Sequence, residues 1–158
     1  MTAKANAASD TSDRELVFTR LLDAPCELVY QAWTDPRHIA AWWGPNGFTT
    51  TTYSMDVRVG GKWLYLMHGP DGKDWPNWIG YLKVVPGELL EYDHGGEEDA
   101  PAEFHVTVTF ADEGSKTRLT MKMVFPTAAA RDRVVREFGA SEGANQTLSR
   151  LKQHLTTM

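Results

Sequence analysis

The chain has a single cysteine, Cys26, so it cannot form an internal disulfide. This agrees with a reducing compartment, and we expect a cytoplasmic protein. The chain also lacks an excess of positive charge, because 16 Lys and Arg residues stand against 21 Asp and Glu residues, a net charge of -5. This balance argues against nucleic acid or an anionic membrane as the main partner.

The signatures of several kinds of chemistry are missing as well. No apolar run is long enough for a membrane span or a signal peptide, and residues 1–13, which are small and polar, are predicted to be a disordered tail before one domain over 14–158. Gly-x-Ser-x-Gly and the glycine-rich loops of nucleotide-binding proteins are absent. The five histidines lack the spacing of a metal site, so neither a metal nor a cofactor is predicted.

Segments with strand-like apolar patterns are frequent, and they predict seven β-strands. The first strand, 14–22, leads into two short helices that meet at a corner, where Asp35 is the expected N-cap and Pro36 the first-turn residue. Six further strands follow between 48 and 125; the pair Gly60-Gly61 predicts a two-residue hairpin turn between the first two of them. The third of the six is expected to cover 79–85.

The last segment, from Ala128 onward, has apolar residues at helical spacing and predicts a long C-terminal helix. Its expected buried stripe includes Val135, Phe138, Leu148 and Leu151, and the glycines at 139 and 143 predict a break or kink between the two halves. Strands joined by short turns indicate an antiparallel sheet, whose apolar face the helices must cover. The predicted fold is therefore α+β, with a curved sheet of about seven strands around the long C-terminal helix.

Several short motifs, taken together, resemble one known family. They are Ala24-Pro25 with Leu28-Val29, Trp33-Thr34-Asp35-Pro36, Trp42-Trp43-Gly44-Pro45, Asp56-Val57-Arg58-Val59-Gly60-Gly61-Lys62-Trp63, Met67-His68-Gly69-Pro70-Asp71-Gly72, and Glu142-Gly143 with Gln146-Thr147-Leu148 and Arg150-Leu151. They resemble bacterial proteins related to the C-terminal domain of the Hsp90 ATPase activator. That family is part of the START-like, or birch-pollen-allergen-like, helix-grip (SRPBCC) superfamily.

The resemblance covers about residue 14 to the C-terminus and implies a helix-grip fold with a cavity between the sheet and the long helix. Members of the superfamily include lipid carriers, polyketide cyclases and antibiotic-sequestering proteins, so the fold implies no single function. Two positions depart from the family pattern. Lys83 stands where relatives often carry an acid, which argues against acid-dependent chemistry on that strand, and Ala144 stands where a bulky residue such as Trp is frequent. The small side chain of Ala144 would leave room beneath the helix.

Aromatic and thioether side chains dominate the residues that we expect to face this space. They are Trp42, Trp43, Trp63, Tyr65, Met67, Tyr81, Tyr92, Met121, Met123 and Phe138, with Ala144 beneath the helix. Such side chains with a few polar tips are typical of an apolar ligand pocket, although the same residues could simply fill the core. No catalytic residue is predicted: Asp93, His94 and His105 could meet as an acid–base pair across neighbouring strands, but surface or hydrogen-bonded strand residues are the commoner case.

The leading hypothesis is non-enzymatic binding of a small hydrophobic or amphipathic molecule in the cavity. The second is a protein-interaction module similar to the Hsp90 activator domain, although the relatives known for that role carry an N-terminal domain that a 13-residue tail would not supply. The third is a small cyclase- or hydrolase-type enzyme. Leu64 and Leu66 would lie on the outer face of the sheet, opposite Trp63 and Tyr65, and exposed leucines there would indicate a homodimer.

Overall fold

The computed structural model describes residues 10–158. Most of the predicted disordered tail, residues 1–9, lies outside the described residues, and Ser12–Arg14 form a short 3-10 helix. The strands are β1 (Glu15–Leu22), β2 (Thr49–Met55), β3 (Lys62–His68), β4 (Asp74–Val85), β5 (Leu89–Gly95), β6 (Phe104–Glu113) and β7 (Lys116–Val124). The helices are α1 (Cys26–Thr34), α2 (Pro36–Trp42), α3 (Ala128–Phe138) and α4 (Ala140–Leu155).

The strands form one antiparallel sheet in the order β1-β7-β6-β5-β4-β3-β2. Strands β2 to β7 follow one another as a meander, and β1 pairs with β7, so α1 and α2 carry the chain from one edge of the sheet to the other. This confirms the predicted α+β helix-grip fold. In the described part of the chain, no helix is long and apolar enough to cross a membrane.

The corner between α1 and α2 forms for the local reasons that the sequence indicates. The Asp35 carboxylate accepts a hydrogen bond from the Arg37 backbone N–H at 2.9 Å, and Pro36 occupies the first turn, where its missing N–H costs nothing. Helix α2 ends at Trp42, and Gly44 follows with a positive φ of 101°. The corner therefore turns the chain sharply and points its tryptophans at the sheet.

Those tryptophans make the centre of the core. Trp33, Trp42, Trp43 and Trp63 follow one another edge to face, with centroid separations of 4.9 Å, 5.5 Å and 5.2 Å along the series. The Trp42 indole N–H donates to the Ala32 carbonyl at 3.0 Å, so the ring is buried without a lost hydrogen bond. The corner is thus fixed to the inner face of β3.

Two sequence expectations about the strands are wrong. The connection between β2 and β3 is not a two-residue hairpin, because β2 ends at Met55 and β3 begins at Lys62. Of the two glycines, Gly60 alone has a positive φ (85°). The Gly61 N–H closes the loop on the Arg58 carbonyl at 2.8 Å, while the Gly60 N–H donates to the Tyr81 carbonyl at 2.9 Å and so pairs the loop with β4. Strand β4 also begins at Asp74 rather than at 79, because its first residues pair with β3 up to His68.

The C-terminal segment breaks at Gly139, as the sequence predicts, but the predicted stripe does not continue through the break. Gly139 adopts the left-handed conformation (φ 60°) and separates α3 from α4. In α4, Leu148 and Leu151 are buried, whereas α3 has no buried residue among those described, and Phe138 is 64% exposed. Only the second half of the segment therefore packs deeply on the sheet.

On the outer face of the sheet, the two leucines of β3 are less exposed than the sequence predicts. Leu64 and Leu66 do lie opposite the buried Trp63 and Tyr65, but both leucines are half-buried rather than exposed. Their cross-strand neighbours on β4 are Trp78 and Pro76 in the sheet register. The exposed leucines on which the homodimer expectation rested are therefore not present at these positions.

Candidate functional site

A cavity of about 210 Å³ lies between the inner face of the sheet and the junction of α3 with α4. Strands β3, β5, β6 and β7 form its floor. Its roof is formed by the first turns of α4 and by the loop after α2 (residues 43–48), which we call the corner loop. It is lined by Trp33, Trp43, Gly44, Pro45, Met67, Tyr92, His94, Phe104, Val106, Met121, Met123, Phe138, Gly139, Ala140, Gly143, Ala144, Thr147 and Leu148. None of these lining residues is Asp, Glu, Lys or Arg, so the wall carries no permanent charge.

The space exists because the helical side of the cavity is built from very small residues. Gly139, Ala140, Gly143 and Ala144 all lie on the stretch of the chain that faces the sheet at this point. At Gly143 the helix comes so close to the corner loop that an added Cβ would lie 3.3 Å from Pro45 Cγ. The backbone thus sits close to the loop while little side-chain volume enters the cavity.

The corner loop is held over the cavity by polar groups of α4. The Arg150 guanidinium donates to the carbonyls of Gly44 at 2.8 Å, Pro45 at 3.1 Å and Trp43 at 3.3 Å. These carbonyls follow the end of α2, where backbone acceptors have no helical partner. Arg150 therefore both caps α2 and fixes one wall of the cavity relative to α4.

Seven of the eleven residues predicted to face the space do line this cavity. They are Trp43, Met67, Tyr92, Met121, Met123, Phe138 and Ala144. Phe138 stands at the rim, since 64% of its surface is exposed. This placement describes the wall of the cavity, and a bound ligand remains a separate prediction.

The other four predicted residues do not reach the cavity. Trp42 is fully buried in the corner, and Trp63 stacks on Tyr65 with ring centroids 3.9 Å apart. Tyr65 lies behind the wall, where its hydroxyl accepts a hydrogen bond from the Trp43 indole N–H at 3.1 Å. Tyr81 packs against Tyr92 from deeper in the core. Trp63, Tyr65 and Tyr81 share the inner face of the sheet with the cavity wall and, together with Trp42 from α2, form a supporting layer beside it.

A hydrogen-bond network joins this supporting layer to the cavity wall. His94 lines the cavity, and its Nε2 lies 3.0 Å from the Tyr65 hydroxyl and 3.1 Å from Asn77 Oδ1. Burial lowers the pKa of His94 from 6.5 to about 4, because the charged imidazolium would lose its hydration there. Burial likewise raises the pKa of Tyr65 and of Tyr92. All three side chains are therefore uncharged near neutral pH.

The lowered pKa of His94 predicts a specific loss of stability in acid. Between pH 6.5 and pH 4 the unfolded state binds a proton at this residue and the folded state does not, so stability falls as pH falls through that window. The difference corresponds to about 2 to 3 kcal/mol. Urea denaturation at pH 7 and at pH 4 should show a smaller acid-induced loss in His94→Gln than in the unmodified protein. Equal losses in the two proteins would contradict a His94 that stays neutral in the folded state.

Of the candidate acid–base residues Asp93, His94 and His105, Asp93 and His105 meet across β5 and β6, and His94 does not join them. Side chains alternate along β5, so His94 faces the cavity and Asp93 faces the other side of the sheet. There His105 Nδ1 lies 3.1 Å from Asp93 Oδ1, and His105 Nε2 lies 3.5 Å from Glu91 Oε1. Lys83 is on the same outer face, 64% exposed and 3.9 Å from Glu91 Oε2. Among residues 10–158, no three His, Cys, Asp or Glu side chains lie close enough together to hold a metal ion.

Sequence reasoning missed several cavity residues, of which His94 and Trp33 matter most. For His94 the signal was present, because Leu90, Tyr92 and His94 alternate along β5 and share a face with the predicted Tyr92. From the sequence, Trp33 is recognised only as part of the motif Trp33-Thr34-Asp35-Pro36. Its indole N–H is sealed from solvent and has no partner among the described residues, which no sequence pattern indicates.

Comparison with known proteins gives a consistent result. The family model described as "Activator of Hsp90 ATPase homolog 1-like protein" matches residues 23–156. A solution structure of a protein from Arthrobacter aurescens is 27% identical over 95% of this chain and 90% of that chain, with a TM-score of 0.85. A crystal structure of a Mycobacterium smegmatis protein is 28% identical over 94% of both chains, with a TM-score of 0.84.

A third solved structure, a protein from Chromobacterium violaceum, is 26% identical over 90% of this chain and 96% of that chain, with a TM-score of 0.78. The match therefore extends over nearly the full length of each of these three proteins. None of the curated proteins matches the chain significantly. The similar structures support the fold.

Proposed function

From the premise that this chain belongs to the family of activator of Hsp90 ATPase homolog 1-like proteins, we propose that it binds a small hydrophobic molecule in the cavity between sheet and α4. The fold of the family supports a ligand-binding or activator-like module. The observation that carries the finer proposal is the wall itself, which joins five aromatic and three methionine side chains with no charged residue. Such a wall favours apolar molecules.

The size of the cavity restricts the ligand. A volume of about 210 Å³ holds about seven water molecules at their liquid volume of about 30 Å³ each. A close-packed organic molecule of roughly seven to ten non-hydrogen atoms fills the same space. The ligand is therefore closer to a single substituted ring than to a fatty acid or a polyketide.

The wall supports binding better than catalysis. Its titratable side chains are His94 and Tyr92, and both are neutral near pH 7 because burial disfavours their charged forms. A general base needs a pKa near the working pH and an acid placed across the substrate. Neither condition is met by the residues that line the cavity.

A thermal-shift series tests the proposal. Toluene, with seven non-hydrogen atoms, and other small neutral ring compounds should raise the melting temperature in a concentration-dependent way, because they bind only the folded state. At a hundred times the Kd the expected stabilisation is about 2.7 kcal/mol. Palmitate at equal free concentration serves as the oversized control and should give no shift. Absence of a shift with every small ring compound would contradict the proposal.

The activator-like alternative predicts a different pattern from the same purified chain. Contact with a chaperone would use the protein surface, so the small ring compounds would leave the melting temperature unchanged. The chain would instead change the ATPase rate of an Hsp90-type chaperone in a steady-state assay. The two measurements together separate the alternatives.

A further inference from the structure

The polar atoms of the cavity wall include groups that no described residue satisfies. Trp33, only 2% exposed, has an indole N–H that is sealed from solvent and unpartnered. The Tyr92 hydroxyl makes no hydrogen bond with the described residues, and neither does Nδ1 of His94, whose Nε2 takes all the contacts of that ring. The Trp33 N–H is sealed from the cavity as well as from solvent, so the Tyr92 hydroxyl and Nδ1 of His94 are the side-chain groups of the wall with which the polar group of a ligand can pair.

The neighbours of His94 determine which of its ring nitrogens carries the hydrogen. The Asn77 amide nitrogen donates to the Trp75 carbonyl at 3.0 Å, which turns Asn77 Oδ1 toward His94. A carbonyl oxygen only accepts hydrogen bonds, so the hydrogen is assigned to His94 Nε2, which then donates to Asn77 Oδ1 across 3.1 Å and has the oxygen of the Tyr65 hydroxyl 3.0 Å away as a second acceptor. A neutral imidazole has one N–H. Nδ1 of His94 therefore holds a lone pair.

That lone pair is open to the cavity. Among the described residues, the sealed and unpartnered side-chain atoms are the indole nitrogens of Trp33 and Trp78, and Nδ1 of His94 is not one of them. The open space beside His94 is the cavity that it lines. The site thus offers a hydrogen-bond acceptor, on a ring that Tyr65 and Asn77 hold in place, inside an otherwise apolar wall.

We propose that the cavity selects an uncharged phenol, whose hydroxyl donates a hydrogen bond to Nδ1 of His94 while its ring packs against the aromatic and methionine side chains of the wall. This inference rests on the proposed function and adds the chemical class of the ligand. The Tyr92 side chain, two residues before His94 on the same strand, lines the same cavity and carries a second hydroxyl. The proposal rests on His94, whose Nδ1 the phenol hydroxyl would pair.

The same wall disfavours charged ligands. A carboxylate in the cavity would lose its hydration, and no Lys or Arg lines the site to replace it. Arg150 lies on the helix that lines the cavity, but its guanidinium donates to the three carbonyls of residues 43–45 and is not part of the cavity wall. A carboxylate also has no hydrogen to donate to His94. The affinities of the hydroxyl and the carboxylate analogue of one ring should therefore differ strongly.

Four matched probes test the inference by isothermal titration calorimetry at pH 7: toluene, para-cresol, para-methylanisole and para-toluate. Para-cresol should bind about three- to tenfold tighter than para-methylanisole, which has the same ring but no hydrogen to donate. Toluene should bind, and para-toluate should bind at least about a hundredfold more weakly than para-cresol. In His94→Phe the preference should disappear, so that para-cresol and para-methylanisole bind with affinities equal within about twofold.

Each outcome has a definite meaning. Equal binding of toluene, para-cresol and para-methylanisole would overturn the phenol inference and leave apolar ligand binding standing, whereas no binding by any probe would overturn both. Strongest binding of para-toluate, or an unchanged preference in His94→Phe, would also overturn the inference. If His94→Phe fails to fold, nitrogen NMR of the unmodified protein decides, because the Nδ1 resonance of His94 should shift with para-cresol and not with para-methylanisole.

Discussion

Replacing Leu151 by alanine is expected to lower the free energy of unfolding by about 2 to 5 kcal/mol, the range for a buried leucine. Leu151 is 0% exposed, and it lies on the same face of α4 as the buried Leu148 and Leu155. Leu151 belongs to the buried core cluster and is not among the residues that line the cavity. Its truncation would therefore leave a new space inside packed core, which is the cause of the expected loss.

Urea denaturation followed by circular dichroism measures this effect, and Gln153→Ala provides the control. Gln153 is exposed on the same helix, and alanine is a good helix former, so the control should change the unfolding free energy by less than about 0.5 kcal/mol. A Leu151→Ala protein as stable as the control would show that α4 is not packed on the sheet in solution. The helix-grip arrangement itself would then be in question.

The alternation of residues in a strand predicts which side chains face the core. It does not predict which of those side chains reach the cavity. Alternation in β3 correctly places Trp63, Tyr65 and Met67 on the inner face, because side chains alternate strictly along a strand. Of these three, only Met67 lines the cavity. Residues 63 and 67 are separated by roughly 13 Å at about 3.3 Å per residue. This distance places one residue in the supporting layer and the other in the cavity wall, although both have the same phase in the alternation of the strand.

The helical pattern fails at the C-terminal segment for a related reason. Spacing of i, i+3 and i+4 assigns Phe138 and Leu148 to one stripe only if a single helix carries both. The left-handed Gly139 (φ 60°) ends α3 and redirects the chain into α4. The phase of the first helix is therefore lost, and Phe138 becomes a rim residue while Leu148 stays buried.

Unpaired polar atoms are the part of the site that sequence reasoning cannot supply. Whether the Trp33 N–H finds an acceptor, or which nitrogen of His94 is free, depends on contacts between α1, β3, β4 and β5. These contacts join residues far apart in the chain, such as Tyr65 with His94. Residue types predicted an apolar cavity with a few polar tips, and only the assembled geometry indicates which tips a ligand can use.

Replacing Ala144 by tryptophan is expected to abolish ligand binding while leaving the protein folded. Ala144 lines the cavity from α4 and faces a floor that includes Met67 and Met121. An indole at this position would occupy most of the cavity of about 210 Å³, so toluene should bind at least about a hundredfold more weakly. Because the ring fills empty space and buries apolar surface, the melting temperature should be unchanged or higher.

Ser149→Trp is the matched control, since Ser149 is exposed on the same helix and its side chain cannot reach the cavity. This variant should bind toluene as the unmodified protein does, so that only the position of the added ring differs. Unchanged toluene binding in Ala144→Trp would place the ligand outside this cavity. Severe destabilisation of Ala144→Trp would mean that the space is already filled in solution, because overpacking a full core costs about 1 to 3 kcal/mol. The proposal of apolar ligand binding would then lose its physical basis.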